Sequence, residues 1–498
     1  MLAERAIAGK RTTMRRFLAL LLVPTLAFVP ACRPQPQGAV KAIVIGGEPK
    51  LRDPALGPLP AEDAMLLQNI AQGLVRFDAN GNIVPGLAER WNMSDDGLSY
   101  IFRIAAIKWP DGEKITAQQI ARLLKRQITG RSKNPLRDTL GAVEDVVAMT
   151  DRVIEIRLIA PRPNLLSLLA QPELAVIRNR YGTGPFAAAT TGGPGGEVRL
   201  VRAIAGSDDE QAQEETVLLA GATAPEAVGA FAAGKADLVT GGTFLDLPFP
   251  QRVKLPRNAL RFDPASGLFG LIPARSGSGV DDPAVRQLLS QALDRANYVG
   301  LISVPGLLAR ATLLEPGLDG MAAPQQPAWT SAPLGERQAQ LRSDADRLFG
   351  KDRPPIRVAL PDGPGADLLF QELVRDWGAI GLSVERAPDA STADFVLIDE
   401  VAPSTTAAWF IRRFRCGMVP VCDPQADELM DAARTTPIPA QRYALLAQAA
   451  LRIDDAQIFI PITAPVRWSL VSNRVQGFAG NRYARHTLTD LEQQPGQN

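Results

Sequence analysis

The sequence predicts an α/β protein of two or three domains, and three observations carry that expectation. At 498 residues the chain is longer than a single domain usually runs and can bury a large core. From Gly73 to Ala117 short apolar runs alternate with turns rich in Asn, Asp and Gly, the mark of paired strands. From Ile356 to Ile398 strand and helix patterns alternate, the rhythm of a βαβ lobe.

The elements follow in order. Lys41 to Ile45 reads as a first strand, closed by Gly46-Gly47. Ala61 to Gln72 places Ala64, Leu66, Leu67, Ile70 and Ala71 at helical spacing. Asp78-Ala79-Asn80-Gly81-Asn82 is a turn, because Asn and Gly tolerate the left-handed backbone such turns need. Ser94-Asp95-Asp96-Gly97 is a second turn and Pro110-Asp111-Gly112 a third. Between them Ser99 to Ile104 nearly alternates apolar and polar residues, the period of a half-buried strand. Thr116 stands where an N-cap would, ahead of a helix reaching Gln127. Val153 to Leu158 is a strand, Asn164 to Leu169 a short helix, and Thr190 to Glu197 a Gly-rich loop.

Ala230 to Val239 reads as helix, turn and strand, with Gly234 at the position after the helix cap. Gly241-Gly242-Thr243-Phe244 follows that strand at its C-terminal end, where loops of open α/β sheets face the ligand crevice. Asp282 with Pro283 suits the start of one helix running to Arg295, in which Arg286 and Asp294 are expected as structural ion-pair partners. Arg342 to Leu348 and Leu369 to Ile380 are helices, the latter stopped by Gly381. Ile356 to Leu360, Leu382 to Val384 and Phe395 to Ile398 are strands. Helices over Pro424 to Ala432 and Gln441 to Ala456 precede a last apolar run, Ile458 to Ile462.

Composition narrows the chemistry. The hydrophobic share of 46% and charged share of 21% are those of an ordinary globular protein. With 54 basic and 53 acidic residues there is no excess charge to recruit nucleic acid. The chain has one histidine, His486, and no G-x-S-x-G elbow, H-E-x-x-H or P-loop sequence, which argues against a Ser–His hydrolase, a zinc protease and a nucleotidase.

The N-terminus reads as a targeting segment. Lys10, Arg11, Arg15 and Arg16 precede an apolar run from Phe17 to Val29, too short to span a bilayer, which takes about 20 residues. Met14 is an alternative start. Val29-Pro30-Ala31-Cys32 resembles a bacterial lipobox, which implies a signal peptide over 1–31 and lipidation at Cys32; ordinary cleavage near Ala31 is the other reading. Residues 32–40, rich in Pro and Gln, follow as a tether. Cys416 and Cys422 lie beyond the export signal and either bridge in an oxidising compartment or remain free buried thiols. With no other Cys or His nearby they do not make a metal site.

Several spaced fragments resemble one family. Gly73-Leu74-Val75, Val84 to Glu89, Trp91, Ser94 to Leu98, Tyr100, Phe102, Trp109 to Gly112 and Thr116-Ala117 match, in order, the extracytoplasmic solute-binding proteins of peptide, dipeptide and nickel ABC importers. The chain departs at Trp109-Pro110, where the family usually has Phe and His or Ser. Leu51 to Ala55, the Gly182-Thr183-Gly184-Pro185-Phe186 signature, Ala230 to Val239 and Asp282 to Arg295 extend the resemblance. Gly182, Gly184 and Ala187 also fit a variant dinucleotide fingerprint, but the apolar run before them is short and Pro185 falls inside the turn. The resemblance implies a bilobal periplasmic-binding-protein-like fold of the three-domain type (type II, cluster C), with a hinge between the lobes. Domain I would be discontinuous, over 41–60, 180–261 and 465–498; domain II would span 61–179 and domain III 262–464. Hinge crossings are expected near Gly184, Phe262 and Pro465, with Ile458 to Ile462 as the strand returning to the first lobe.

The segment after Phe395 to Ile398 is expected to decide the ligand. Peptide-binding relatives place there an Asp that meets the ligand's ammonium; rough alignment on Pro403 puts Ala402 at that position, with Asp399 and Glu400 displaced. Trp409, Arg412, Arg413 and Arg415 lie just beyond, an aromatic wall and guanidinium groups suited to a carboxylate-bearing or planar ligand. The expected ligand-binding set is Glu48, Gly184, Thr243, Trp409, Arg412 and Arg415. The resemblance implies a monomeric, lipid-anchored periplasmic protein that captures an oligopeptide or peptide-like solute and hands it to an ABC permease and its ATPase, with no cofactor, metal, nucleic acid or catalysis. The other classes considered are an exported hydrolase using paired carboxylates and a cell-surface adhesion or chaperone module.

Overall fold

The computed structural model describes residues 38–191, 196–204, 213–350 and 353–493, so the signal segment, Cys32 and residues 192–195 of the Gly-rich loop lie outside the described residues. Three sheets organise the rest. The widest has seven strands, in spatial order Leu260–Phe262, Arg467–Val471, Leu238–Thr243, Val40–Ile45, Gln213–Ala222, Val198–Ile204 and Ala187–Thr191. Val40–Ile45 lies at its centre and pairs in parallel with Gln213–Ala222 and Leu238–Thr243. Its inward residues Val40, Ala42 and Val44 are buried, as the alternation of the sequence requires.

A four-stranded antiparallel sheet holds Ala88–Met93, Ser99–Ile104, Val153–Leu158 and Val143–Thr150. The turn read at Ser94 to Gly97 closes a hairpin here, and the one at Asp78 to Asn82 closes a separate two-stranded hairpin, Val75–Phe77 with Ile83–Pro85; Gly81 and Gly97 stand at positive φ. Thr116 caps the helix Ala117–Ile128 through a reciprocal capping box with Gln119. The helix buries Ile120 and Leu124 on a core that includes Tyr100, Phe102 and Trp109.

The third sheet has five strands, in the order Val384–Arg386, Ile356–Ala359, Phe395–Val401, Gly267–Pro273 and Ile460–Thr463. Three helices, Pro283–Ala292, Leu334–Phe349 and Pro364–Gly378, contribute Leu289, Ala345 and Trp377 to its core. A separate cluster around Phe410, Phe414 and Phe459 packs the helices Ala407–Arg412, Pro424–Thr435 and Pro439–Asp455.

Four expectations are corrected. The helix expected over Asp282 to Arg295 ends at Ala292, and Asp294 caps a new helix, Arg295–Ile302, by accepting from Asn297 N at 3.0 Å. Arg286 makes no ion pair among the described residues: it is buried, and its guanidinium donates to the carbonyls of Val280, Asp281, Ala456 and Gln457. Ile460–Thr463 stays in the five-stranded sheet, and the strand that returns to the widest sheet is Arg467–Val471. Gly241 to Thr243 do not follow the strand but form its end.

Candidate functional site

A cavity of about 970 Å³ opens between the four-stranded sheet's segment and the five-stranded sheet's helices. That is the upper end of the size range of small-molecule sites. On one side Leu59, Leu136, Thr139, Gln171 and Glu173 form its wall. On the other, the C-terminal end of strand Phe395–Val401 contributes Asp399 to Val401, and Ala402 and Pro403 continue the wall. Beyond them the short helix Ala407–Arg412 presents Trp409 and Arg412, followed by Arg413, Arg415 and Cys416. Asp319 fixes the start of this helix, its carboxylate accepting from Ala407 N at 2.8 Å.

The cavity is rich in arginine, and most of that charge is already answered. Arg467 donates both ways to Asp399 (2.8 and 3.0 Å), tying the returning strand to the five-stranded sheet. Burial pushes the Asp399 carboxyl above its ordinary value, against the pull of Arg467. Arg413 pairs with Glu400, Arg485 with Glu173 at 2.7 Å, and Arg415 with Asp431 at 2.9 and 3.0 Å. The Asp431 contact holds the Arg415 guanidinium above its usual range. Arg412 differs. It crosses the gap to neutral acceptors, the carbonyl of Asp138 and the hydroxyl of Thr139 (2.7 Å). Gln171 crosses too, donating to Pro403 O at 2.9 Å, and Asn164 reaches Asp319 at 3.3 Å.

Of the expected site residues, Thr243, Trp409, Arg412 and Arg415 line this one cavity. Glu48 and Gly184 do not line it. Glu48 is exposed and lies within 3.7 Å of Lys50. Gly184 packs against the end of helix Ala61–Ile70, its N donating to Ile70 O at 3.0 Å; a Cβ there would fall 2.5 Å from Ala71 N and Asn69 O. The glycine of that signature therefore serves close packing of backbone on backbone. Cys416 and Cys422 stand at disulfide geometry, with Cα atoms 5.2 Å apart. Asp399 and Glu400, considered as ligands for an ammonium, each already hold an arginine. His486 is buried against Asp263 at 3.1 Å and does not line this cavity, although its neighbour Arg485 does.

Glu173 and Arg467 were not expected here. Glu173 sits inside the apolar run Leu168 to Ile177, and an acid in such a run is a signal that a charge partner waits in the fold. One of its carboxylate oxygens, Oε2, is buried without a partner among the described residues. Among the described residues no three His, Cys, Asp or Glu gather as a metal site, and no helix is long and apolar enough to cross a membrane.

The chain belongs to the bacterial extracellular solute-binding proteins, family 5: the model of that family's middle region matches residues 82–406. It is 23% identical over 477 residues to the probable di/tripeptide-binding protein 5 of Pseudomonas aeruginosa, covering 84% of this chain and 88% of that protein. To the probable deoxycholate-binding periplasmic protein YgiS of Escherichia coli it is 28% identical over 129 residues, 22% of this chain. That match spans 24% of the Escherichia coli protein, about a quarter of its length. The solved structure of Haemophilus influenzae OppA in complex with RPPGFSPFR superposes with a TM-score of 0.76 at 17% identity, over 92% of this chain and 100% of that one. The fold is thus the bilobal α/β fold of periplasmic binding proteins, as the sequence led one to expect.

Proposed function

We propose that this protein is the solute-capturing component of an ABC importer. It takes an oligopeptide or peptide-like solute into the cavity between its lobes and delivers it unchanged to the permease. The observation that carries the reading is the cavity itself: its walls come from segments far apart in the chain, and Arg412 and Gln171 bridge it. A site built this way opens and shuts by rotation of one body against the other. The distribution of strands among three sheets supports dividing the chain into a discontinuous domain I (41–60, 180–261, 465–498), domain II (61–179) and domain III (262–464). Crossings near Gly184, Phe262 and Pro465 serve as hinges. Export, lipidation at Cys32, the disulfide Cys416–Cys422 and a monomeric state complete the proposal.

The binding assignments follow from the walls. Trp409, Arg412, Arg415 and Thr243 contact the solute. A hydrolase needs a carboxylate free to act as acid or base, and Asp399 and Glu400 are each committed to an arginine. A thermal-shift panel of di- and tripeptides, opines, sugars and metal chelates tests the reading. A member of the peptide-like set raises the melting temperature, because a ligand held by the folded form stabilises it. A blank across the peptides with a shift from sugars or chelates would contradict the solute class.

A further inference from the structure

Beside the large cavity lies a smaller one of about 160 Å³, sharing with it Asp138, Thr139, Trp409, Arg412 and Arg415. Arg162, Arg412, Arg415, Arg434 and Arg442 all line it. Their partners do not balance them. Asp431 serves both Arg415 and, at 3.6 Å, Arg434, and Arg415 also meets Asp427 at 3.8 Å, so these two carboxylates answer Arg415 and Arg434 and leave the other three arginines. Arg442 donates to the carbonyls of Thr436 and Pro437, and Arg412 to a carbonyl and a hydroxyl. Among the described residues Arg162 makes no ion pair, and its Nε is buried without a hydrogen-bond partner. Asp319 is the carboxylate close enough to act on Arg162, and it is already engaged by Ala407 N and Asn164. Asp138, on the cavity's rim, pairs with Arg137. Burial, and then the neighbouring Arg442 and Arg434, hold the Arg162 guanidinium below its ordinary value; burial and then Arg162 do the same to Arg412. Like charges gathered in a half-closed apolar pocket repel each other unless an anion joins them. Most of the remaining lining is apolar, with Ile159, Trp409, Met430 and Leu446, beside the hydroxyl-bearing Thr139 and Thr406.

We propose that this smaller cavity is an anion subsite, seating a carboxylate of the solute between Arg162 and Arg412, with the solute's apolar flank against Trp409 and Met430. A guanidinium pair matches a carboxylate's two oxygens, and charge-assisted bonds of this kind are about twice as strong as neutral ones. Arg162 comes from the segment between strand Val153–Leu158 and helix Leu165–Leu169, and Arg412 from the helix across the gap. The anion therefore clasps the two sides together, and a solute without one loses that contribution to closure. The proposal rests on reading the larger cavity as a solute cleft and names the class of solute that cleft selects.

The test uses the mature chain and three probes at matched ionic strength: benzoate, its neutral near-isostere benzamide, and inorganic phosphate. Benzoate at about ten times its dissociation constant raises the melting temperature by about 2 °C, while benzamide leaves it in place. Arg162→Gln abolishes the benzoate shift and raises the melting temperature of the ligand-free protein, because it relieves the repulsion. Arg162→Lys keeps the charge and keeps part of the shift. A structural role for Arg162 alone gives the opposite, a destabilised Arg162→Gln that still responds to benzoate. Equal shifts from benzoate and benzamide would overturn the anion subsite, and a larger shift from phosphate would overturn the carboxylate assignment. A benzoate response with a blank peptide panel upholds the subsite and removes the peptide reading; peptides that bind as tightly when C-terminally amidated, with no benzoate response, do the reverse.

Discussion

Asp454 shows how much one buried group can reveal. Its carboxyl accepts from Leu313 N at 2.7 Å, and burial pushes it up to about 8. In the unfolded chain it titrates near pH 4, as carboxyls of its type do, at about 3.9. Between those values the folded state keeps a proton that the unfolded state has released. Its stabilising contribution is full below about pH 4 and fades as pH rises through about 8. Asp454→Asn keeps an acceptor for Leu313 N and removes the titration. We expect melting temperature to rise less for this variant than for the parent on acidifying from pH 8 to pH 5; identical slopes would assign the effect elsewhere. None of this was visible in the sequence, where Asp454 is one of two adjacent acids near a helix end. The same holds for Arg162, hidden between two prolines, and for Arg467. A charge becomes a site only through what folds against it. Trp409, Arg412 and Arg415 were legible because an aromatic residue and arginines cluster within a few positions after a strand.

Elements were read more easily than sites, because periodicity and capping are local. The strand Ser99–Ile104, the box-capped helix Ala117–Ile128 and the hairpin turns all follow from residues within a few positions of one another. The break at Leu293 has no local mark in the sequence, since Asp294 looks like an ordinary helical residue until its side chain turns to accept from Asn297 N and cap the next helix. Gly184 carries the clearest test at this scale. Its missing Cβ lets Pro185 and Phe186 lie against the end of helix Ala61–Ile70. Gly184→Ala forces backbone apart and is expected to cost about 1–3 kcal/mol in chemical denaturation, with solute affinity unchanged in the folded fraction. A neutral substitution would show that the contact yields. The Cys416–Cys422 loop forms a rim of the cavity, Cys416 N donating to Asp427 at 3.1 Å. A short loop gives a modest entropic gain. Replacing both cysteines by serine is expected to lower stability by about 2 kcal/mol and to speed solute release; unchanged stability would mean the bridge does not form in the mature protein.

At the scale of the molecule, three sheets and the segments between them create a cavity that no sheet encloses alone. Two or three domains were readable from length and from the alternation of strand and helix. The order of strands in the widest sheet was not. That sheet gathers Val40–Ile45, Leu238–Thr243 and Arg467–Val471, and only tertiary structure brings such distant runs together. The bridges made by Arg412 and Gln171 are few and lie on opposite walls of the gap, so the lobes are expected to separate without solute. Solution scattering should then record a smaller radius of gyration on solute addition; an unchanged radius in the presence of a bound solute would mean the cleft does not shut.

The most direct test asks what the protein holds. The mature chain is incubated with a defined tripeptide library, separated from free solute, denatured, and the released molecules are weighed by mass spectrometry. Capture and delivery predict one intact molecule per protein, its mass unaltered and its sequence enriched for particular members of the library. Release of cleaved fragments, or retention no greater than that of an unrelated protein, would contradict the account.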